Sequence, residues 1–400
     1  MSEIFKKLSA MIISFILMIV FNLQGFAMNN TAKAQRFNED SSFRIMHITD
    51  THLEYLNLDK SVWLIEEACV KEQPDLIALT GDIAMSDDKE EMLTCIDRLM
   101  NIFEEYQIPV AVTFGNHDIE TPHFNGEELM KIYNSYDCSI SIDEGDELTG
   151  CGTYNVPILS SKGDDIKYNL WFFDSGSSDG EGHYSNVPAD QVEWYKEKSE
   201  ELEKEYSKKI DALAFQHIIV PEIYDALDKR SYKIPYAYEH LYNKGEYYYF
   251  NQDLENHGLF HETPCPGYYN HGQFEAMVNR GDLHGIFTGH DHTNAFSVKY
   301  KDINITNSLS TRYNSDMFST QYGYRIIDIN ENDTGTYTTR VVHWYDFFEL
   351  NDAFKLYKND DKFGGDLALE ICFKGFFQKY GQLLGIKLTE LFTGRQVNYQ

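Results

Sequence analysis

The sequence predicts an α/β fold in which parallel strands are joined by helical crossovers. From Arg44 onward short apolar runs alternate with longer amphipathic ones, and polar clusters fall directly after the apolar runs. Arg44–Thr49 (RIMHIT) is a buried strand, and Ser61–Glu72 has helical spacing. Asp75–Thr80 (DLIALT) is a second strand, Lys89–Tyr106 a second helix and Pro109–Phe114 (PVAVTF) a third strand. Strand, helix, strand, helix, strand in that order gives parallel neighbours with crossovers, and ligands gather beyond the carboxyl ends of such strands. Asp50, Asp82 and Asn116 stand at those ends.

Farther along, Thr153–Ile158 and Tyr168–Asp174 read as strands joined by the turn-rich Ser160–Asp165. Pro188–Ser207 is a charged helix, Ala212–Gln216 a short strand, Phe274–Arg280 a helix and Gly285–Thr288 a strand. The tyrosine-rich stretch 223–272 breaks the rhythm and reads as an insertion over one face. The remainder to His343 reads as antiparallel strands. The main domain is therefore expected over 35–345, with a helical extension over 346–400. In that extension Leu367, Ile371, Leu384, Leu388 and Leu391 share one helical face, which suits packing on the domain or contact with a membrane or partner.

The 400 residues carry a formal charge of −30. A surface this acidic repels a phosphate backbone, so long nucleic acids are excluded as partners and small phosphoesters remain. Lys6 and Lys7 precede an apolar run from Leu8 to Leu23, and small residues follow at Ala27, Ala32 and Ala34. This is the pattern of an export signal over 1–34, with an uncleaved membrane anchor as the alternative. Six cysteines are too few for a disulfide framework in a chain of this length. Cys69 and Cys95 suit small core positions. Cys138 and Cys151 flank a polar loop and could pair in an oxidising compartment.

Five segments carry the candidate chemistry: Asp50-Thr51-His52, Gly81-Asp82, Gly115-Asn116-His117-Asp118, His217, and Gly289-His290-Asp291-His292. Alone, each is a common loop or turn. In order, each after an apolar strand, they supply imidazole, carboxylate and one amide oxygen. That donor set suits Mn, Fe or Zn, and without thiolate it does not make a structural zinc site. The glycines before Asp82, Asn116 and His290 are expected to let the strands turn sharply.

These segments resemble the signature of the calcineurin-like metallophosphoesterases. Within that superfamily, His217 with Pro221-Glu222, the run from Gly281-Asp282 to Asn294, and DSG followed by DQVEWY are similar to the purple-acid-phosphatase-related phosphatases. The resemblance implies a four-layer α/β/β/α sandwich of two mixed sheets flanked by helices. It also implies two metal ions, divalent or trivalent, bridged by Asp82. Asp50, His52 and His292 would complete one, and Asn116, His217 and His290 the other. A hydroxide shared by the ions would attack phosphorus directly. His117 would protonate the leaving oxygen, with Asp118 orienting its ring.

Two departures from purple acid phosphatases stand out. Their tyrosine three residues after the bridging aspartate is here Met85, and His52 is an added histidine. The motif ITDTHL is also similar to cyclic-nucleotide phosphodiesterases of the superfamily, which leaves monoester and diester substrates both open. A protein that keeps the site only for structure or partner binding is the non-enzymatic alternative. Of the remaining residues, His183, His257, His261 and His271 lie in loops that could overhang the site, with surface histidines as the commoner reading. The Tyr247–Tyr249 and Tyr268–Tyr269 clusters suit packing of the insertion or stacking on an aromatic leaving group, and Arg312 is a candidate phosphate contact.

Overall fold

The computed structural model describes residues 33–144, 148–234, 236–250, 257–313, 322–358 and 362–393, with 257, 358, 362 and 382–393 as backbone only. The expected export signal therefore lies outside the described residues but for its last two. Two β-sheets pack face to face, and each carries helices on its outer side.

The first sheet has five strands, in the order Asp333–His343, Gly323–Asn330, Ser42–Ile48, Leu76–Thr80, Val110–Thr113. The last three run parallel, as the crossover pattern requires. Strict alternation splits their side chains between two cores. Met46, Ile48, Ile77, Leu79, Val110 and Val112 face the helical layer, while Ile45, Leu76, Ala78 and Ala111 face the second sheet. The outer layer includes the helix Lys89–Glu105, started by Asp88, whose side chain accepts from the Glu90 and Glu91 amides. Its Met92, Ile96, Leu99 and Phe103 are buried against the sheet.

The second sheet has eight strands. Its centre is Ile166–Phe172, Ala212–Phe215, Leu283–Thr288 and Ile303–Asn307, all parallel to one another. Leu170, Phe172, Leu213, Phe215 and Phe287 meet the first sheet, and Trp171, Ala212, Ala214 and Ile286 meet the helices Ala189–Tyr206 and Gln273–Arg280 on the far side. The four layers expected from the resemblance are thus present.

The tail of the domain departs from a simple antiparallel run. Ala295–Tyr300 and Ile303–Asn307 form a hairpin in the second sheet, whereas Gly323–Asn330 and Asp333–His343 form one that crosses to the first. Between 223 and 272 a small sheet places Tyr247–Tyr249 as its middle strand, with Tyr248 and Tyr249 buried. Those tyrosines pack the insertion. The final helix, Lys362–Thr393, buries Leu367, Ala368 and Ile371, while Phe373, Phe376, Phe377 and Tyr380 are exposed on another face. No helix among the described residues is long and apolar enough to cross a membrane. Cys69 and Cys95 are buried core residues, and the suggested Cys138–Cys151 bridge is not formed, since both are free thiols.

Candidate metal centre

All five segments follow the carboxyl ends of strands, three in the first sheet and two in the second. The seam between the sheets brings these ends together. The first two loops are laced by backbone bonds from Asp50 N to Gly81 O (3.0 Å) and from His52 N to Asp82 O (3.0 Å). Asp50, His52, Asp82 and His290 all sit at positive φ, between 40° and 68°. Such strain persists only where surrounding contacts enforce it, and it gathers at functional sites.

The glycines act partly as expected. Gly81 has φ +91°, a turn that favours glycine. Gly115 and Gly289 do not turn in that region; they are small because space is short. A Cβ at Gly115 would stand 2.2 Å from Asp82 Oδ1, and one at Gly289 2.3 Å from Asp50 Oδ2.

The side chains form two groups that share Asp82. Asp50, His52, Asp82 and His292 converge on one side, and Asp82, His217 and His290 on the other. Asn116 joins the second, its Oδ1 3.2 Å from His217 Nε2. The nitrogens Nε2 of His52 and His292 are 2.9 Å apart, and His292 Nε2 is 3.3 Å from Asp50 Oδ1. Asp50 and Asp82 each have one oxygen occupied: Asp50 Oδ2 accepts from Thr49 Oγ1 and the His290 amide, and Asp82 Oδ1 from the His117 amide. Their other oxygens, Asp50 Oδ1 and Asp82 Oδ2, are buried without a hydrogen-bond partner, as is His290 Nε2. Buried orphan acceptors are costly, and their convergence with imidazole nitrogens fits cations of the Mn, Fe or Zn kind.

Electrostatics agree. Burial lowers the His217 pKa, but the Asp82 and Asp50 carboxylates outweigh it and raise the imidazole to about 10. The pocket draws positive charge to itself. His217 is oriented by Nδ1, which donates to Thr80 O at 2.8 Å and leaves Nε2 toward Asp82 and Asn116. Behind it His47, buried and pushed down to about 3 chiefly by desolvation, bridges Ser308 Oγ and Thr80 Oγ1.

Four of the residues singled out in the sequence fall outside the two groups. His117 stands at the rim, 42% exposed at its side chain, its ring edge-on to His52 at 5.7 Å between centroids. Asp118, expected to orient that ring, does not reach it. Its carboxylate is buried and accepts from the amides of Asp82, Ile83 and Gly115, so it shapes the turn beneath the site. Asp291 is likewise turned away, accepting from the Cys265 amide and tying the insertion to the site. Arg312 pairs with Glu54 at 2.8 Å.

Two neighbours were not anticipated from the sequence. Glu120 Oε2 is 3.2 Å from His117 Nδ1, and the half-buried Tyr184 ring meets His290 edge-on at 4.4 Å. The helical spacing of His117 and Glu120 was a usable signal; nothing local marks Tyr184. Met85 places its sulfur against His52 Nδ1, where a purple acid phosphatase would carry tyrosine.

Fold and site together define a class: an α/β/β/α phosphoesterase with a site for two metal ions at the seam of its sheets. The profile of the calcineurin-like phosphoesterases matches residues 43–294, more than half of the chain, and the protein belongs to that family. It is similar to "Probable inactive purple acid phosphatase 14" of Arabidopsis thaliana, 27% identical over 307 residues, 68% of this chain and 70% of the relative. "Probable inactive purple acid phosphatase 28" of the same plant is 27% identical over 310 residues, 67% of this chain and 70% of that one. A dimetal phosphatase from Danio rerio superposes with a TM-score of 0.46 at 11% identity, covering 76% of this chain and 99% of its own.

Proposed function

We propose that this protein is an exported enzyme that hydrolyses small phosphate esters. The observation that carries the reading is the convergence of orphaned buried acceptors on both sides of Asp82, with one further imidazole at the rim. Asp50, His52, Asp82 and His292 would hold one ion of the Mn, Fe or Zn kind, and Asp82, Asn116, His217 and His290 the other. Bound there, the pair would supply Lewis-acid polarisation of the phosphoryl group and acidify the attacking water.

The chain's own groups do the rest. Thr49 and the His290 amide fix the Asp50 carboxylate, and Thr80 O fixes the His217 ring, so the site is rigid before substrate arrives. His117 is free of both clusters and protonates the leaving oxygen as the P–O bond breaks. No side chain is needed as nucleophile, so no phosphoenzyme forms. The charge of −30 favours small esters over polyanions. Lys6, Lys7 and the apolar run after them support export, and mass spectrometry should place the mature start near Met28 or Gln35. An intact Met1 would contradict that part.

Two other readings are separable from this one. His52, in a motif similar to that of cyclic-nucleotide phosphodiesterases, favours diesters. The relatives named as probably inactive favour a non-catalytic role. Purified protein should be loaded in turn with Mn, Fe and Zn, its metal content measured, and a panel of monoesters, diesters and cyclic nucleotides assayed. Turnover of monoesters supports the proposal, and turnover of diesters alone supports the second reading. Two bound metals without turnover of any ester would sink both.

A further inference from the structure

We propose that Glu120, and not Asp118, is the positioning residue for His117; this rests on the general-acid reading of His117. Both residues lie in the short helix Asn116–Glu120, three positions apart and hence on one face. The Glu120 carboxylate is 3.2 Å from His117 Nδ1. Other nearby carboxylates are committed elsewhere. Asp118 is held by three backbone amides, and Asp82 Oδ1 takes the His117 main-chain N–H, which holds the backbone and not the ring.

An imidazole at the rim, with its side chain 42% exposed, is otherwise free to rotate and to exchange tautomers. A carboxylate at Nδ1 fixes both. With Nδ1–H donated to Glu120, Nε2 on the opposite side of the ring is the nitrogen left for substrate. In the reaction, water adds to phosphorus, the bond to the leaving oxygen breaks with its electron pair on that oxygen, and the Nε2 proton neutralises it. The ring regains a proton from solvent, still tethered at Nδ1. An exposed ion pair of this kind adds little to stability, so its effect should appear in orientation and rate.

The test uses the full-length, metal-loaded protein and two variants, Glu120→Ala and Glu120→Gln. Nitrogen-15 NMR of the histidine rings, with His117 assigned by its loss in His117→Asn, reads the tautomer directly. Turnover is measured across esters of graded leaving-group acidity. Glu120→Ala should keep both metals, mix the His117 tautomers and lose about 10–100-fold in kcat for alkyl esters. The loss for nitrophenyl phosphate should be far smaller. Glu120→Gln keeps an acceptor oxygen and should recover most of both signals. An unchanged His117 tautomer in Glu120→Ala, or a rate loss equal for all leaving groups, would overturn the assignment. If wild type itself turns over no ester, the general-acid reading fails, and the tautomer measurement still decides whether Glu120 holds the ring.

Discussion

Asp82 Oδ2 stands 3.2 Å from Nε2 of His217 and belongs to both donor groups, and each group draws its other members from loops of both sheets. Asp82 closes the strand Leu76–Thr80 of the first sheet, and His217 the strand Ala212–Phe215 of the second. The site thus exists only where strand ends of the two packed sheets come together. Asp82→Asn should therefore lose both ions at once. Metal analysis is expected to find fewer than one ion per chain, and activity should fall by more than the roughly 10–100-fold typical of losing an outer-shell partner. Retention of two ions would refute the bridging role.

Gly289→Ala tests the claim that space, and not backbone freedom, requires glycine there. The added Cβ would meet Thr49 Oγ1 at 2.0 Å and Asp50 Oδ2 at 2.3 Å. Both partners are buried, and the bond between them holds Asp50 in place. Overpacking of this kind costs about 1–3 kcal/mol, and displacement of Asp50 should lower metal affinity as well. Gly163, with open space around it, is the control, and Gly163→Ala should leave the denaturation midpoint unchanged. Equal midpoints and metal content for Gly289→Ala and wild type would show that the loop yields freely.

The candidate ligands were legible in the sequence because each follows an apolar strand, and parallel strands deliver their carboxyl ends to one edge. Asp118 misled because chain adjacency to His117 suggests contact. In a helix, successive residues diverge by about 100°, so Asp118 points down into the turn while Glu120 shares the His117 face. The hairpin Gly323–His343 was legible as two strands but not as members of the first sheet. Its alternation tells which face is buried, not which sheet supplies the neighbour. Tyr184 reaches His290 through tertiary packing alone, with no spacing to reveal it.

Asp211 links the second sheet to the far hairpin, accepting from His284 Nε2 at 2.7 Å and from the Thr334 hydroxyl. Burial raises its pKa, but the His284 and Thr334 hydrogen bonds outweigh that and bring it below the ordinary 3.8. A carboxylate with a depressed folded pKa adds stability above its unfolded value and loses it as pH falls through the folded one. Asp211→Asn should cost about 1 kcal/mol at neutral pH, a figure kept small because the side chain is about a third exposed. Urea denaturation at about pH 7 and about pH 3 should show the gap between variant and wild type closing in acid. A constant gap would mean that the charge contributes nothing.

His117→Ala separates chemistry from metal binding. The two clusters are complete without His117, whose imidazole sits at the rim beside His52. The variant should keep both ions and its fold while losing turnover. A positioned acid contributes about 10²–10⁴-fold when the leaving group is a poor one, because an alcohol departs in place of an alkoxide. A nitrophenolate needs little protonation, so the loss with nitrophenyl phosphate should be much smaller than with an alkyl ester. The slope of log kcat against leaving-group pKa should therefore steepen in the variant. Loss of metal, or parallel slopes for variant and wild type, would make His117 a structural or substrate-binding residue. Comparison with Glu120→Ala adds the finer reading, since a positioning partner should reproduce the steeper slope only in part.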